Sequence, residues 1–448
     1  MLKSDYSRTG PDRPGWSGAA NVAQSSCGGV APPRFDEESK GGVSVNLKRY
    51  LNGRKAARNG QDGKIPELGA APGLPIVVEI PVNNGPISGI AASSDGSRLM
   101  VTNYARNSVS VIDTDACRVL DTIPGVSEPF AIAVGSADAG RAYVSTASTA
   151  YDSIEVIDVS TNMVVASHPL ALSVSDLVVS ADGRYVYASR NGVRGADVAV
   201  LDTTTGLVEV IDIADPLKAP GTTTECVRIG SGGDRLYVGA NGPAGGQLVV
   251  IGTPAQSDQD ADRGRSRWPR KNSKKSTRSR EAAAHTGLSV VGTVAIGLPI
   301  RDVALSANGA IAYVASCGAG CDAVIDVIDT HTNKIVSTRK ISEVGGLLTG
   351  LTLSGDGDRA YLVGGDGVTV LCTLTLDVVG TIQAAKQPSC VVESPDGNYL
   401  YIADYSGAVT VAPVGSAITS GVEDSVHETD AAAEWAMPEL LQYEPALA

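Results

Sequence analysis

The sequence predicts an all-β chain, a seven-bladed β-propeller of four-stranded blades whose last blade is closed by an N-terminal strand. Three observations predict it. A pattern of roughly 40–50 residues recurs seven times, which is the period of a propeller blade. Each copy carries four short apolar runs, and most copies join the first two through an Asp-Gly or Asn-Gly pair, a hairpin signal. Composition agrees: glycine is 51 of 448 residues, Phe only 2 and Met only 4, although 43% of the chain is hydrophobic. The core must therefore be built from Val, Ile, Ala and Leu; the β-branched ones among them, stiff at χ1, suit strands, and glycine suits turns.

The copies follow in order. Residues 86–112 read PISGIAASSDGSRLMVTNYARNSVSVI, with RVLDTIP as the fourth run. The second starts at 129 and the third at 173. The fourth, from 225, is worn, and its last run, LSVVGTVAI, comes only at 288–296. The fifth starts at 299 and the sixth at 347. The seventh, PSCVVESPDGNYLYIADYSGAVTVAPV from 388, stops one strand short. IVVEIPVNNGP at 76–86 matches the end of the sixth copy, VVGTIQAAKQP at 378–388, and supplies the missing strand. Turn pairs are Asp95-Gly96, Asp182-Gly183, Asn308-Gly309, Asp356-Gly357 and Asp396-Gly397.

The domain plan is a basic, largely disordered arm at 1–74 and a propeller at 75–415. A flexible basic insert at 254–287 interrupts blade four, and an acidic tail with a possible short helix fills 416–448. The net charge of −13 divides accordingly: +4 in 1–74, −16 in the propeller blades, +6 in 254–280 and −7 in the tail. Charged residues at 19% are too few for a disordered chain, a coiled coil or a highly charged nucleic-acid protein. No apolar run nears the roughly 18 residues of a membrane span. The first residues lack the apolar core of a secretory signal, and seven scattered cysteines do not make a disulfide scaffold, so a cytoplasmic protein is expected.

VTNYARNSVSVIDT at 101–114, with YVSTASTAYDSIEVIDV and AYVASCGAGCDAVIDVIDT, resembles the YVTN-repeat family of lactonase-like seven-bladed propellers over about 76–415. The resemblance implies the architecture. It is poor for function, because that family includes surface-layer proteins, DNA-binding members and sugar-lactone hydrolases.

In a propeller the first strand of each blade lines the central channel. Aligned on the Asp-Gly turn, one ring reads Ser88, Ala131, Ser175, Glu225, Arg301, Thr349 and Ser389. The next reads Gly89, Ile132, Asp176, Cys226, Asp302, Gly350 and Cys390. Asp176, Glu225 and Asp302 are candidates to hold a divalent cation or to act as acid and base, with Arg301 beside them. The bland alternative is that Arg301 neutralises Asp302 or Glu225. None of the histidines (168, 285, 331, 427) falls on a ring position, which counts against a hydrolase.

Cys317 and Cys321 lie in the loop between the second and third strands of blade five, with three residues between them. That spacing does not match redox or zinc pairs. A disulfide or two unremarkable thiols are the alternatives. The insert segment RGRSRWPRKNSKKSTRSR at 263–280 contains Arg263, Arg265, Arg267, Trp268, Arg270, Lys271, Lys274 and Lys275. These are candidates for salt-dependent contact with phosphates of a nucleic acid or an anionic surface, for pairing with the acidic tail, or for plain solubility. The expected function is a non-enzymatic, monomeric scaffold for a protein partner, with no resident cofactor. The alternative is a lactone or ester hydrolase centred on the channel carboxylates.

Overall fold

The computed structural model describes residues 78–414, except 136–139, 148–151, 171–172, 193–194, 215–218, 254–287, 319–321, 343, 345, 366 and 383–386. The basic arm, the basic insert with its eight candidate residues, the acidic tail and Cys321 therefore lie outside the described residues. Among those described, 28 strands form seven four-stranded antiparallel sheets.

β1 is Val78–Pro81. Blade one holds β2 (Ile87–Ala92), β3 (Arg98–Asn103), β4 (Ser108–Asp113) and β5 (Arg118–Pro124). Blade two holds β6 (Ile132–Val134), β7 (Arg141–Thr146), β8 (Ser153–Asp158) and β9 (Met163–Pro169). Blade three holds β10 (Ser173–Val179), β11 (Tyr185–Gly192), β12 (Gly195–Asp202) and β13 (Val208–Asp212). Blade four holds β14 (Thr223–Ile229), β15 (Arg235–Gly242), β16 (Gly245–Gly252) and β17 (Ser289–Ala295), its last strand coming after residues 254–287 in the chain. Blade five holds β18 (Ile300–Leu305), β19 (Ile311–Cys317), β20 (Ala323–Asp329) and β21 (Lys334–Ile341). Blade six holds β22 (Gly350–Leu353), β23 (Arg359–Gly364), β24 (Gly367–Cys372) and β25 (Val378–Ile382). Blade seven holds β26 (Pro388–Glu393), β27 (Tyr399–Asp404) and β28 (Ala408–Pro413), and β1 pairs with β28 as its fourth strand. The ring is closed by strands from both ends of the described chain.

The Asp-Gly signal works through a wider motif than the pair itself. In blade one the Ser93 hydroxyl donates to Asp95 Oδ1 at 2.6 Å, and the Ser97 N–H donates to the same oxygen at 3.0 Å. Gly96 sits at φ +70°, a conformation open to glycine at no steric cost. Ser180 with Asp182, Ser354 with Asp356 and Ser394 with Asp396 repeat the hydroxyl contact at 2.5 to 2.6 Å, and Ser306 with Asn308 at 2.8 Å. These Asx turns satisfy main-chain donors within the loop.

The hydrophobic cores lie between blades rather than within them. Met100, Val109 and Val111 of blade one pack with Ala142, Val144 and Ile157 of blade two. The same arrangement recurs at each of the seven interfaces, including Ile80 and Val409 against Leu99 and Ile112 at the closing seam. A slot between two twisted sheets is filled by branched aliphatics and a few tyrosines, which explains how the chain manages with two phenylalanines. Each buried Val, Leu or Ile contributes about 1.5–3 kcal/mol, so seven such cores carry the stability.

Candidate functional site

The inner strands place the ring residues by a shared distortion. The pairing of β10 with β11 shifts between Val174 and Asp176, leaving Ser175 as the extra residue. Glu225 is extra in β14, Arg301 in β18 and Ser389 in β26, while Ser88 and Gly89 are skipped in β2. A β-bulge re-aims one side chain out of the pleat. It is the device that sets this ring apart from the strand around it.

Most hydroxyls of the ring are used to join blades. Ser88 Oγ donates to the Pro129 carbonyl at 3.0 Å, and Ser175 Oγ lies 2.9 Å from Ser189 Oγ and 3.4 Å from Thr224 Oγ1. Asn191 and Asn241 act the same way one strand further out. Asn191 accepts from the Thr224 N–H at 2.7 Å and donates to its carbonyl at 2.9 Å; Asn241 does this to Ile300 at 2.8 and 2.9 Å.

The carboxylates form a different constellation from the expected one. Asp176 accepts from the main-chain N–H groups of Leu177 at 2.9 Å and Val227 at 3.0 Å, so it ties blade three to blade four. Asp302 accepts from Val303 at 2.7 Å and Leu351 at 2.9 Å, tying blade five to blade six. Between them lies Arg228 of β14. Its guanidinium pairs with Asp176 Oδ2 through Nη1 and with Asp302 Oδ1 through Nη2 at 2.6 Å. Asp302 is the more buried carboxylate, its side chain 13% exposed against 21% for Asp176.

Burial pushes the Asp302 carboxyl above its ordinary value and outweighs the opposing pull of Arg228 and the two N–H donors. Burial also works against the Arg228 charge, but Asp176 and Asp302 more than offset it and raise its pKa. Removing one member of such a partly buried set would strand the others without a countercharge.

The cation between the carboxylates is thus Arg228, not Arg301. Arg301 is half-buried, its Nε enclosed without a hydrogen-bond partner. Glu225 stands apart from the pair, with its Oε1 accepting from Thr223 Oγ1 at 3.2 Å. Among the described residues no group of three His, Cys, Asp or Glu side chains is placed to hold a metal ion. Cys226 and Cys390 line the inner strands as reduced thiols; burial raises Cys390 to about 12 and Cys226 well above its usual value. His168 lies on outer strand β9 and His331 on an exposed turn. Cys317 is a free thiol at the end of β19.

Arg228 escapes a reading of the ring because it sits two residues beyond it. A signal exists all the same. The aligned positions in other blades are Ala91, Val134, Val178, Ala304, Thr352 and Val392, so Arg228 is the single charge at an otherwise uncharged position.

Comparison with known proteins agrees with this architecture. The chain is 60% identical over 398 residues to "Seven-bladed beta-propeller protein Rv1057" of Mycobacterium tuberculosis (strain ATCC 25618 / H37Rv), covering 89% of this chain and 99% of that protein. The chain belongs to that family of seven-bladed β-propeller proteins. Among solved structures it is similar to Kuenenia stuttgartiensis Hydrazine Synthase, with a TM-score of 0.57 and 19% identity over 79% of this chain and 99% of the other. At that identity the likeness is one of fold alone. No family model matches the chain.

No helix among the described residues is long and apolar enough to cross a membrane.

Proposed function

We propose that this protein is a non-catalytic scaffold that binds a protein partner through the outer rim of blades two to five. The observation that carries this reading is a run of exposed aliphatic side chains on four successive outer strands. Met163 and Val165 on β9, Val210 on β13, Val291 on β17 and Val336 on β21 are each more than half exposed. Leu207, just before β13, is 68% exposed. Exposed aliphatic side chains recurring on the edges of four neighbouring blades offer a partner a repeated apolar contact.

The channel supports the same reading from the other side. Asp176 and Asp302 are engaged by Arg228 and by four main-chain N–H groups, so neither is poised as base or nucleophile. The test compares crosslinked partners of the wild-type chain with those of Val165→Glu, Val210→Glu, Val291→Glu and Val336→Glu combined. Loss of a discrete partner is expected. An unchanged partner set would remove the rim as the contact, and lactone or ester hydrolysis that disappears in Glu225→Gln would replace the scaffold with an enzyme.

A further inference from the structure

The seam where the ring closes contains a cleft of about 410 Å³ between blades seven and one. Asp95, Asp115 and Asp396 line it together with Tyr399 and Tyr401, and none of its lining residues is basic. Asp95 and Asp396 are held ionised by their turns. The Ser93 hydroxyl and the Ser97 donors lower Asp95. Burial opposes ionisation of Asp396, but Ser394 and Asn398 outweigh it. Asp115 is exposed at the rim.

Tyr401 is the second feature. It is 4% exposed, yet its hydroxyl has no hydrogen-bond partner among the described residues. At the same strand position in blades two, five and six, the hydroxyl crosses to the next blade. Tyr143 reaches the Gly183 carbonyl at 3.4 Å, Tyr313 the Thr373 carbonyl at 3.4 Å, and Tyr361 donates to Glu393 Oε1 at 2.8 Å. Directed the same way, the Tyr401 hydroxyl meets the cleft instead, near Cys117 and Asp115. The hydroxyl opens onto the cleft rather than into a closed core, which leaves it placed to meet a donor entering there.

The third feature is the path of the chain. Val78, the first residue of β1, forms part of the cleft wall. Residues 48–64, just upstream, hold Lys48, Arg49, Arg54, Lys55, Arg58 and Lys64 against one acid, Asp62. Lys64 is 14 residues from Val78, so extended chain between them spans at most about 50 Å, several times the size of the cleft.

We propose that the seam cleft binds a lysine or arginine side chain and that its occupant is the chain's own basic segment, residues 48–64. The carboxylates supply charge-assisted acceptors, the Tyr401 hydroxyl a further acceptor, and the tyrosine rings a surface for the cation and its aliphatic stem. Tethering beside the cleft raises the local concentration of the segment to about the millimolar range, enough to hold a contact that is weak between separate molecules. The proposal does not depend on the rim being the partner surface.

The test uses the full-length chain. Carbodiimide coupling followed by peptide mapping should join Lys55 or Lys64 to Asp115 within one copy. Cys117, in the cleft wall, should be alkylated about tenfold faster when Arg54, Lys55, Arg58 and Lys64 are changed to Glu, and equally fast in the wild type at about 1 M salt. Tyr401→Phe and Asp115→Asn should also speed alkylation while leaving the melting curve in place, because one removes only a hydroxyl and the other alters an exposed residue. Coupling of the arm lysines only to tail carboxylates such as Glu423 or Glu434 would overturn the proposal. So would coupling only between isotopically distinct copies, an unchanged Cys117 rate in the charge-reversed arm, or protection that appears only when a free basic peptide is added.

Discussion

Two groups of aspartates in this molecule differ in how their charge is answered. In the channel, Asp176 and Asp302 share Arg228 and take two main-chain N–H donors each. At the seam, Asp95, Asp115 and Asp396 surround a cleft with no basic side chain in its walls. The contrast teaches that a cluster of acids on channel-lining strands can be mortar between blades, while acids in ordinary turns can leave a charge without a countercharge where chemistry is available. Counting carboxylates points to the channel; asking what neutralises each one points to the seam.

The largest way to break this contrast is to remove the built-in cation. Arg228→Ala should lower stability by about 3–5 kcal/mol in urea unfolding, because two largely buried carboxylates lose their partner. Adding Asp176→Asn and Asp302→Asn should recover part of the loss. Asp115→Asn at the seam should change stability by less than about 0.5 kcal/mol. Equal effects at the two places would erase the distinction.

A smaller effect concerns the seam's own backbone. The turn between third and fourth strands needs a left-handed residue, supplied by Asn162, Gly206 and Asn333 in blades two, three and five. Blade one places Cys117 there at φ +48° and blade six places Leu376 at φ +59°. Leu376 is 3% exposed and held by core packing, whereas Cys117 is only half-buried. Cys117→Asn should therefore stabilise the chain by about 1 kcal/mol, read as a raised Tm. A lowered Tm would mean that the thiol's contacts outweigh the backbone preference.

The subtlest measurement is titration. Hydrogen bonds from Ser93 and Ser97 lower Asp95, whereas burial raises Asp302, so carboxyl NMR shifts should show Asp302 taking up its proton at higher pH than Asp95. The consequences for stability have opposite signs. The contribution of Asp95 is complete above the unfolded carboxylate value near 3.8 and is lost as pH falls through its lower folded value. Ionisation of Asp302 weakens the fold as pH rises from 3.8 through its raised folded value. The reverse order of titration would mean that Arg228 dominates burial at Asp302.

The blades were legible because their signals are local. Ser-x-Asp-Gly closes its own turn, and apolar alternation marks each strand without reference to any other blade. The closing strand was legible by likeness to the end of the sixth copy. The charge cluster was not, because the contact of Arg228 with Asp176 and Asp302 depends on how three sheets lie side by side. The bulges at Glu225 and Arg301 were hidden for the same reason, since register belongs to a pair of strands and not to either one. Arg228 still left a trace, as the one charge in a column of small and apolar residues.

The pairing of β1 with β28 has a consequence during synthesis. Val78 must find Val411, roughly 330 residues later in the chain. At about 5–20 residues per second, β1 waits on the order of tens of seconds for a partner that the ribosome has not yet made. Through that interval six blades can form, but the circle remains an arc with a raw edge at each end. Completion of the final strand is therefore the event that turns a growing solenoid into a ring, and it comes only when the last blade has left the ribosome.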